Sequence, residues 1–503
     1  MKRIFLSLAF LPFFFTMGLV FLFNKSLFDY IPNAGDGLGY WAQIAGFVQA
    51  GFHTGYYGWG EMIAPIDFFR FSVHGPVFTI IVGTLARFLG GWHWYSPPLY
   101  NLGFLTAALL VYVYSDVGKK KVGLQILLVA TTWSLFGFNL SPLQETFHAS
   151  LGIVIATLIS LSLIMPKSLY LRAWVIGLIF TASLMRPTWS ILFFPVTFLY
   201  LFEGPNKKRY CGLRWLTLII ALVSPVIFFQ IWRLISAPLA PGYGPLTWIQ
   251  SELTLPIQAG HIKNIIKRLL EFAQRLFDVK KIKDQSIYYI VVWQSIVMFS
   301  VIAASLLKSA LKRKNPSDSH WEWLGLWILG INLFNAIFVY GVAADSQCRL
   351  LLGPLFMSVI FLLCSKRSWA KPFVFSLIVS NLLISFQGVS YLKSSVTGEL
   401  SIDRTHFIEL KNELSQVIHF NAKNSGWCNT LLISDYNANI ISIPPGIGLE
   451  WTPHTEWLHR PPKARYALVD QQVYSQLSQI GKFKKISTFG ANSLYENLTA
   501  GCD

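Results

Sequence analysis

Charge is what this sequence has least of. Only 13% of its 503 residues are Asp, Glu, Lys or Arg, roughly half the share of an ordinary soluble domain. With 53% apolar residues and a mean hydropathy of +0.49, it has too little polar surface for a soluble globule of this size. Acids are scarcer still, 24 against 41 Lys and Arg, which leaves a net charge of +17. Five cysteines are too few for a disulfide scaffold. The sequence also lacks a Gly-rich phosphate loop, a metal-ligand spacing, an internal repeat, a low-complexity tract and a nucleic-acid motif. Soluble nucleotide-dependent and nucleic-acid-binding classes are thereby excluded. What it does have is a series of apolar runs near the roughly 20 residues that cross a bilayer. It also has 18 Trp, 20 Tyr and 40 Phe, suited to the two membrane interfaces.

These runs define an α-helical polytopic membrane protein of about eleven spans. The first is Ile4 to Phe23, behind Lys2-Arg3, and the rest fall at about 97–114, 122–140, 147–165, 173–185, 188–202, 215–235, 287–307, 321–341, 350–365 and 372–390. With that count the basic clusters at Lys119-Lys120-Lys121, Lys167/Arg172, Lys207-Lys208-Arg209, Lys312-Arg313-Lys314 and Lys366-Arg367 all lie on the side of Lys2-Arg3. The excess of Lys and Arg makes that side cytoplasmic. The run Val77 to Gly90 is short and contains Arg87, so it reads as an interfacial or re-entrant segment. The long run 173–202 is broken by Arg186-Pro187 and reads as a hairpin with Arg186 at the outer surface.

Residues 1–390 form the membrane part and 391–503 a small extracytoplasmic α/β domain. In the tail a helical pattern at about 404–421 precedes strand-like Thr430–Ser434, Ala467–Val469 and Lys485–Phe489, with a short helix near 471–480. Cys428 and Cys502 either pair there or stay as free thiols. Between the spans, Ile262, Ile265, Ile266, Leu269, Leu270, Leu276 and Phe277 recur at helical spacing opposite Lys263, Lys267, Arg268 and Arg275. That pattern is an amphipathic helix lying on the membrane.

The ionisable residues that stand out lie at outer helix ends. Asp36, in Gly35-Asp36-Gly37, follows the first span by about a dozen residues and opens a surface helix; His74-Gly75-Pro76 opens the re-entrant run; Glu145 sits at the outer end of the third span; Arg186 is in the hairpin; Arg349 starts a late span, with Asp345 close by. For each there is a plain alternative: a solvated loop acid, a hydrogen-bonded loop histidine, a helix-end marker, an arginine snorkelling to headgroups, a local Arg349–Asp345 pair.

The order of these parts resembles the GT-C superfamily of membrane glycosyltransferases, particularly its protein mannosyltransferase and aminoarabinose transferase branches. Asp36 is similar to the acid in their first outer loop, Val73-His74-Gly75-Pro76 to the element that follows, and Glu145 to their second acid. Leu184-Met185-Arg186-Pro187 and Cys348-Arg349-Leu350-Leu351-Leu352-Gly353-Pro354 are similar to their basic hairpin and late Arg-containing segment. Asp36 lacks an adjoining Glu, Leu350 stands where an aromatic is often found, and Glu replaces Asp at 145.

The resemblance implies an enzyme of the inner or plasma membrane, multi-pass with a cytoplasmic N-terminus. It would move a hexosyl or pentosyl group, with inversion, from a polyprenyl-phosphate donor to a lipid, glycan or protein acceptor at the outer face. It implies Asp36 as the catalytic base, and Glu145, His74, Arg186 and Arg349 as substrate-binding residues. It implies no cofactor; a divalent metal is compatible but not indicated. Membrane lipids are the other partners, and nucleic acid is not one. Two other classes fit a polytopic chain: a transporter or flippase of lipid-linked substrates, and an inactive membrane scaffold.

Overall fold

The computed structural model describes residues 2–26, 36–53, 56–57, 75–93, 95–117, 121–202, 211–237, 259–278, 280, 282, 286–311, 319–339, 349–399, 404–424, 426–434, 438–452, 454–459 and 461–500; some helix-end side chains, Asp36 among them, are not described. The helices are α1 (Lys2–Leu8), α2 (Leu11–Leu22), α3 (Asp36–Ala50), α4 (Val77–Phe88), α5 (Ser96–Ser115), α6 (Val122–Thr131), α7 (Trp133–Asn139), α8 (Glu145–Ile164), α9 (Leu169–Met185), α10 (Phe193–Phe202), α11 (Cys211–Ile235), α12 (Ala259–Leu276), α13 (Ser286–Leu311), α14 (Ser319–Phe334), α15 (Arg349–Cys364), α16 (Ala370–Leu383), α17 (Ser385–Glu399), α18 (Arg404–Val417) and α19 (Gln471–Ile480). Each apolar run of the sequence coincides with helix.

The chain is an integral membrane protein. Among the described residues four helices are long and apolar enough to cross a bilayer: Ser96–Ser115, Glu145–Ile164, Arg214–Ile235 and Ser286–Leu311. They become six if two bent pairs, α6 with α7 at 70° and α16 with α17 at 56°, each count as one span. Along α11 the side chains of Ile219, Ile220, Leu222, Val226 and Ile227 stand exposed. An apolar face that packs on no protein is what a lipid-facing helix presents.

α15 is the opposite case. Leu351 through Leu363 are all buried, because α8 and α14 close around it. Its contact with α8 runs through glycine: a Cβ on Gly353 would sit 3.2 Å from the His148 carbonyl oxygen, and one on Gly152 would sit 3.2 Å from the Gly353 carbonyl. Without a solvent-driven hydrophobic effect in lipid, close backbone approach at small residues is how membrane helices gain contact. At the other end of α15, Lys121 Nζ donates to the carbonyls of Leu363 and Ser365, at 2.7 and 2.9 Å, so a cation closes the helix terminus where orphan carbonyls collect. Nearby the wholly buried Glu322 pairs with Arg367, which also donates to Ser309 Oγ.

Among the described residues the tail contributes five strands to a six-stranded sheet of order β1-β3-β2-β4-β6-β5, comprising β1 (Tyr56–Tyr57), β2 (Thr430–Ile433), β3 (Gly448–Trp451), β4 (Tyr466–Asp470), β5 (Phe483–Phe489) and β6 (Asn492–Asn497). β1 to β4 pair in parallel; β6 and β5 are antiparallel. α19 starts on Asp470, whose carboxylate accepts from the Val473 amide at 2.7 Å, the expected N-cap. Cys428 is disulfide-bonded, with its partner outside the described residues.

The edge strand β1 comes from the first loop, and its Tyr56 and Tyr57 pair with Leu449 and Glu450. α3 follows the same path: Leu38 and Trp41 are buried in one core with Leu410, Leu414, Ile433 and Leu449 of the tail. The first loop therefore completes the tail's hydrophobic core.

Candidate active site

Three segments far apart in sequence meet at one end of the bundle. Glu145 is the first residue of α8, where a carboxylate is favoured by the helix dipole. Arg186 ends α9 in an extended conformation, φ −144° and ψ 112°, because the following Pro187 disfavours the helical region for its predecessor. Arg349 opens α15, where the dipole disfavours a cation and an adjacent anion offsets it.

The two arginines converge on one oxygen. Arg186 Nη2 lies 3.3 Å and Arg349 Nε 3.5 Å from Glu145 Oε1, with the carboxylate 3% exposed and the arginines 18% and 17%. Glu145 Oε2 is buried and has no hydrogen-bond partner among the described residues. Two guanidiniums held on one carboxylate oxygen in a partly buried place present an arrangement suited to an anionic ligand.

The arginines line a cleft of about 450 Å³, open solvent included. His148, Trp189, Asn332 and Met357 line it too. Trp189 Nε1 donates to His148 Nδ1 at 3.0 Å, so in the neutral ring the proton sits on Nε2. Sequence reasoning missed His148, Trp189 and Asn332. One signal for His148 was available, since residues three apart on a helix share a face and Glu145 is three before it.

Asp36 is the first residue of α3; its side chain is not described. The start of that helix nonetheless has a fixed neighbour. A Cβ on Gly37 would lie 3.4 Å from the Pro142 ring, and Gln144 Nε2 donates to Tyr40 Oη at 2.6 Å. Asp36 thus begins a helix packed on the turn that leads into Glu145. His74, Asp345 and Cys348 lie outside the described residues. Beside His74, Gly75 has φ +74°, a conformation suited to glycine, and a Cβ on it would sit 3.5 Å from the Trp232 indole. Among the described residues no three His, Cys, Asp or Glu side chains gather to hold a metal.

Fold and site together define an integral membrane protein with an arginine-lined cleft at one end of its bundle and a sheet domain on the same side. Neither a protein-family model nor a curated protein matches the sequence. Among solved structures, the chain is similar to ArnT from Cupriavidus metallidurans bound to undecaprenyl phosphate, with 9% identity, a TM-score of 0.40, and 100% of this chain and 98% of that one covered. It is similar also to the Archaeoglobus fulgidus oligosaccharyltransferase in its apo form, with 12% identity, a TM-score of 0.46, and 99% and 75% covered.

Proposed function

We propose that the protein is an inverting membrane glycosyltransferase that takes a sugar from a polyprenyl-phosphate donor at the outer membrane face. The observation that carries this reading is the convergence of Arg186 and Arg349 on the single carboxylate of Glu145 beside an open cleft. A phosphodiester donor is an anion, the kind of ligand that two converging guanidiniums suit. Guanidinium suits the task because it stays charged near lipid and offers paired donors to phosphate oxygens.

In this mechanism Asp36 accepts the proton of the acceptor hydroxyl as its oxygen attacks the anomeric carbon. The bond from that carbon to the phosphate oxygen breaks on the opposite face, and the electron pair departs on the lipid phosphate. Arg186 and Arg349 stabilise the charge that grows there. Glu145 orients both arginines. The basic clusters of the sequence support a cytoplasmic N-terminus and an outer tail, and the disulfide at Cys428 suits an oxidising compartment.

Purified protein assayed separately for transfer and donor binding tests the assignment. Asp36→Asn keeps the shape and removes the basicity, so transfer should fall by about 10²-fold or more with donor binding intact. Arg349→Lys keeps a charge but loses the paired donors, and should weaken both. Full activity in Asp36→Asn would sink the reading.

A further inference from the structure

α3 is held from two sides. Its Leu38 and Trp41 are buried in the core of the tail's sheet domain, while its Tyr40 and Ile44 pack with Phe78, Val82 and Met185 of the membrane part. Phe47 leans so closely on Gly83 that a Cβ there would meet its ring at 2.5 Å. Two residues beyond α3's short 3-10 extension (Gly51–His53), the chain enters the sheet as β1. A 15-residue helix gripped on opposite faces has little freedom to rotate or slide. What stands at its first position is Asp36.

We infer that the sheet domain is a positioning element for the transfer step: through Leu38 and Trp41 it sets the height and rotation of α3, and so the place of Asp36 over the turn that leads into Glu145. This rests on the reading of Asp36 as the base. The core that Leu38 and Trp41 share with the sheet domain contains no residue of α9 or α15, which carry the phosphate-binding arginines, so the sheet domain bears on proton removal more than on donor capture. A general base must sit within hydrogen-bond reach of the proton it takes, and a misplacement of about 1 Å can cost on the order of 10²-fold in rate. The arrangement also explains why the core of an outer domain is left unfinished until the first loop fills it: the domain then cannot fold away from the site it serves.

A double-mutant cycle on the full chain separates positioning from general damage. Trp41→Ala should lower the transfer rate constant about tenfold or more, leave the affinity for a prenyl methyl phosphodiester within about twofold, and be largely restored by Trp41→Phe. In the Asp36→Asn background the same change should cost almost nothing further, because the base through which Trp41 acts is already gone. Where Trp41→Ala does not accumulate, Trp41→Leu takes its place in the cycle. Multiplying losses in the double variant, or a folded Trp41→Ala with an unchanged rate, would overturn the inference while leaving the proposed function standing. An active Asp36→Asn would instead remove the function itself.

Discussion

At Glu145 one oxygen is shared by two guanidiniums and the other is left without a described partner. Removing that carboxylate takes away the anion that the two guanidiniums share. Breaking a buried pair by deleting one partner costs about 3–5 kcal/mol; with the arginines 17–18% exposed, about 2–3 kcal/mol is the expected loss for Glu145→Gln after screening. Thermal unfolding in detergent should show it. Added prenyl phosphate should then raise the unfolding temperature of Glu145→Gln more than that of the unaltered protein, because the ligand replaces the missing anion. Equal shifts would mean that the phosphate does not bind at these arginines. Much of this trio was legible in the sequence: the Arg186-Pro187 step breaks an apolar run, and Glu145 and Arg349 stand at the ends of others. His148 was not, because a histidine inside an apolar helix reads as core, and its partner Trp189 lies 41 residues away.

At the scale of elements, two bends carry the most polar chemistry within the apolar helices. Chain direction changes at Thr132 between α6 and α7, and at Ile384 between α16 and α17. Backbone groups freed by a bend in lipid need partners. Trp133 Nε1 donates to the Asn381 carbonyl at 2.9 Å, and Gln294 Nε2 reaches the Leu377 carbonyl, Ser380 Oγ and Asn381 Oδ1. The paired bends bring Gly388 so near Trp133 that a Cβ would sit 2.1 Å from its ring. Gly388→Ala is therefore expected to destabilise by about 1–3 kcal/mol through overpacking. Gly103→Ala, with nothing within 4 Å, should be neutral or slightly stabilising. A thermal-shift comparison in which both were neutral would show that the two bends do not pack this closely. Neither bend was legible, since both halves of each pair are apolar and hydropathy does not see direction. The tail's α18, β2, β4, β5 and α19 stood out through their apolar periodicity, whereas β3 is interrupted by Gly and Glu as Gly-Leu-Glu-Trp, β6 is polar as Asn-Ser-Leu-Tyr-Glu-Asn, and β1 comes from another part of the chain.

For the whole molecule, the two ends of α15 give a test of topology that does not depend on counting spans. At one end Arg349 meets Glu145, and the turn before Glu145 carries α3 and with it the sheet domain. At the other end Lys121 holds the Leu363 and Ser365 carbonyls, which places Lys121 beside the turn that leads into Lys366-Arg367. The 16 residues between span about 24 Å at 1.5 Å per residue, most of a hydrocarbon core. The sheet domain and Lys121 thus lie at opposite ends of the bundle, whichever way the bundle faces. On the proposed orientation the Lys121 end is the cytoplasmic one, in keeping with the excess of Lys and Arg. Single cysteines placed at Lys120 and at the exposed Lys484 of β5 should label from opposite sides with a membrane-impermeant maleimide, Lys484 from outside in intact cells and Lys120 only after permeabilisation. Labelling of both from one side would mean that α15 and its neighbours do not cross the bilayer. Exchange of the two sides would keep the fold and move the cleft to the cytoplasmic face, where the donor reading would have to be abandoned for an outer-face acceptor.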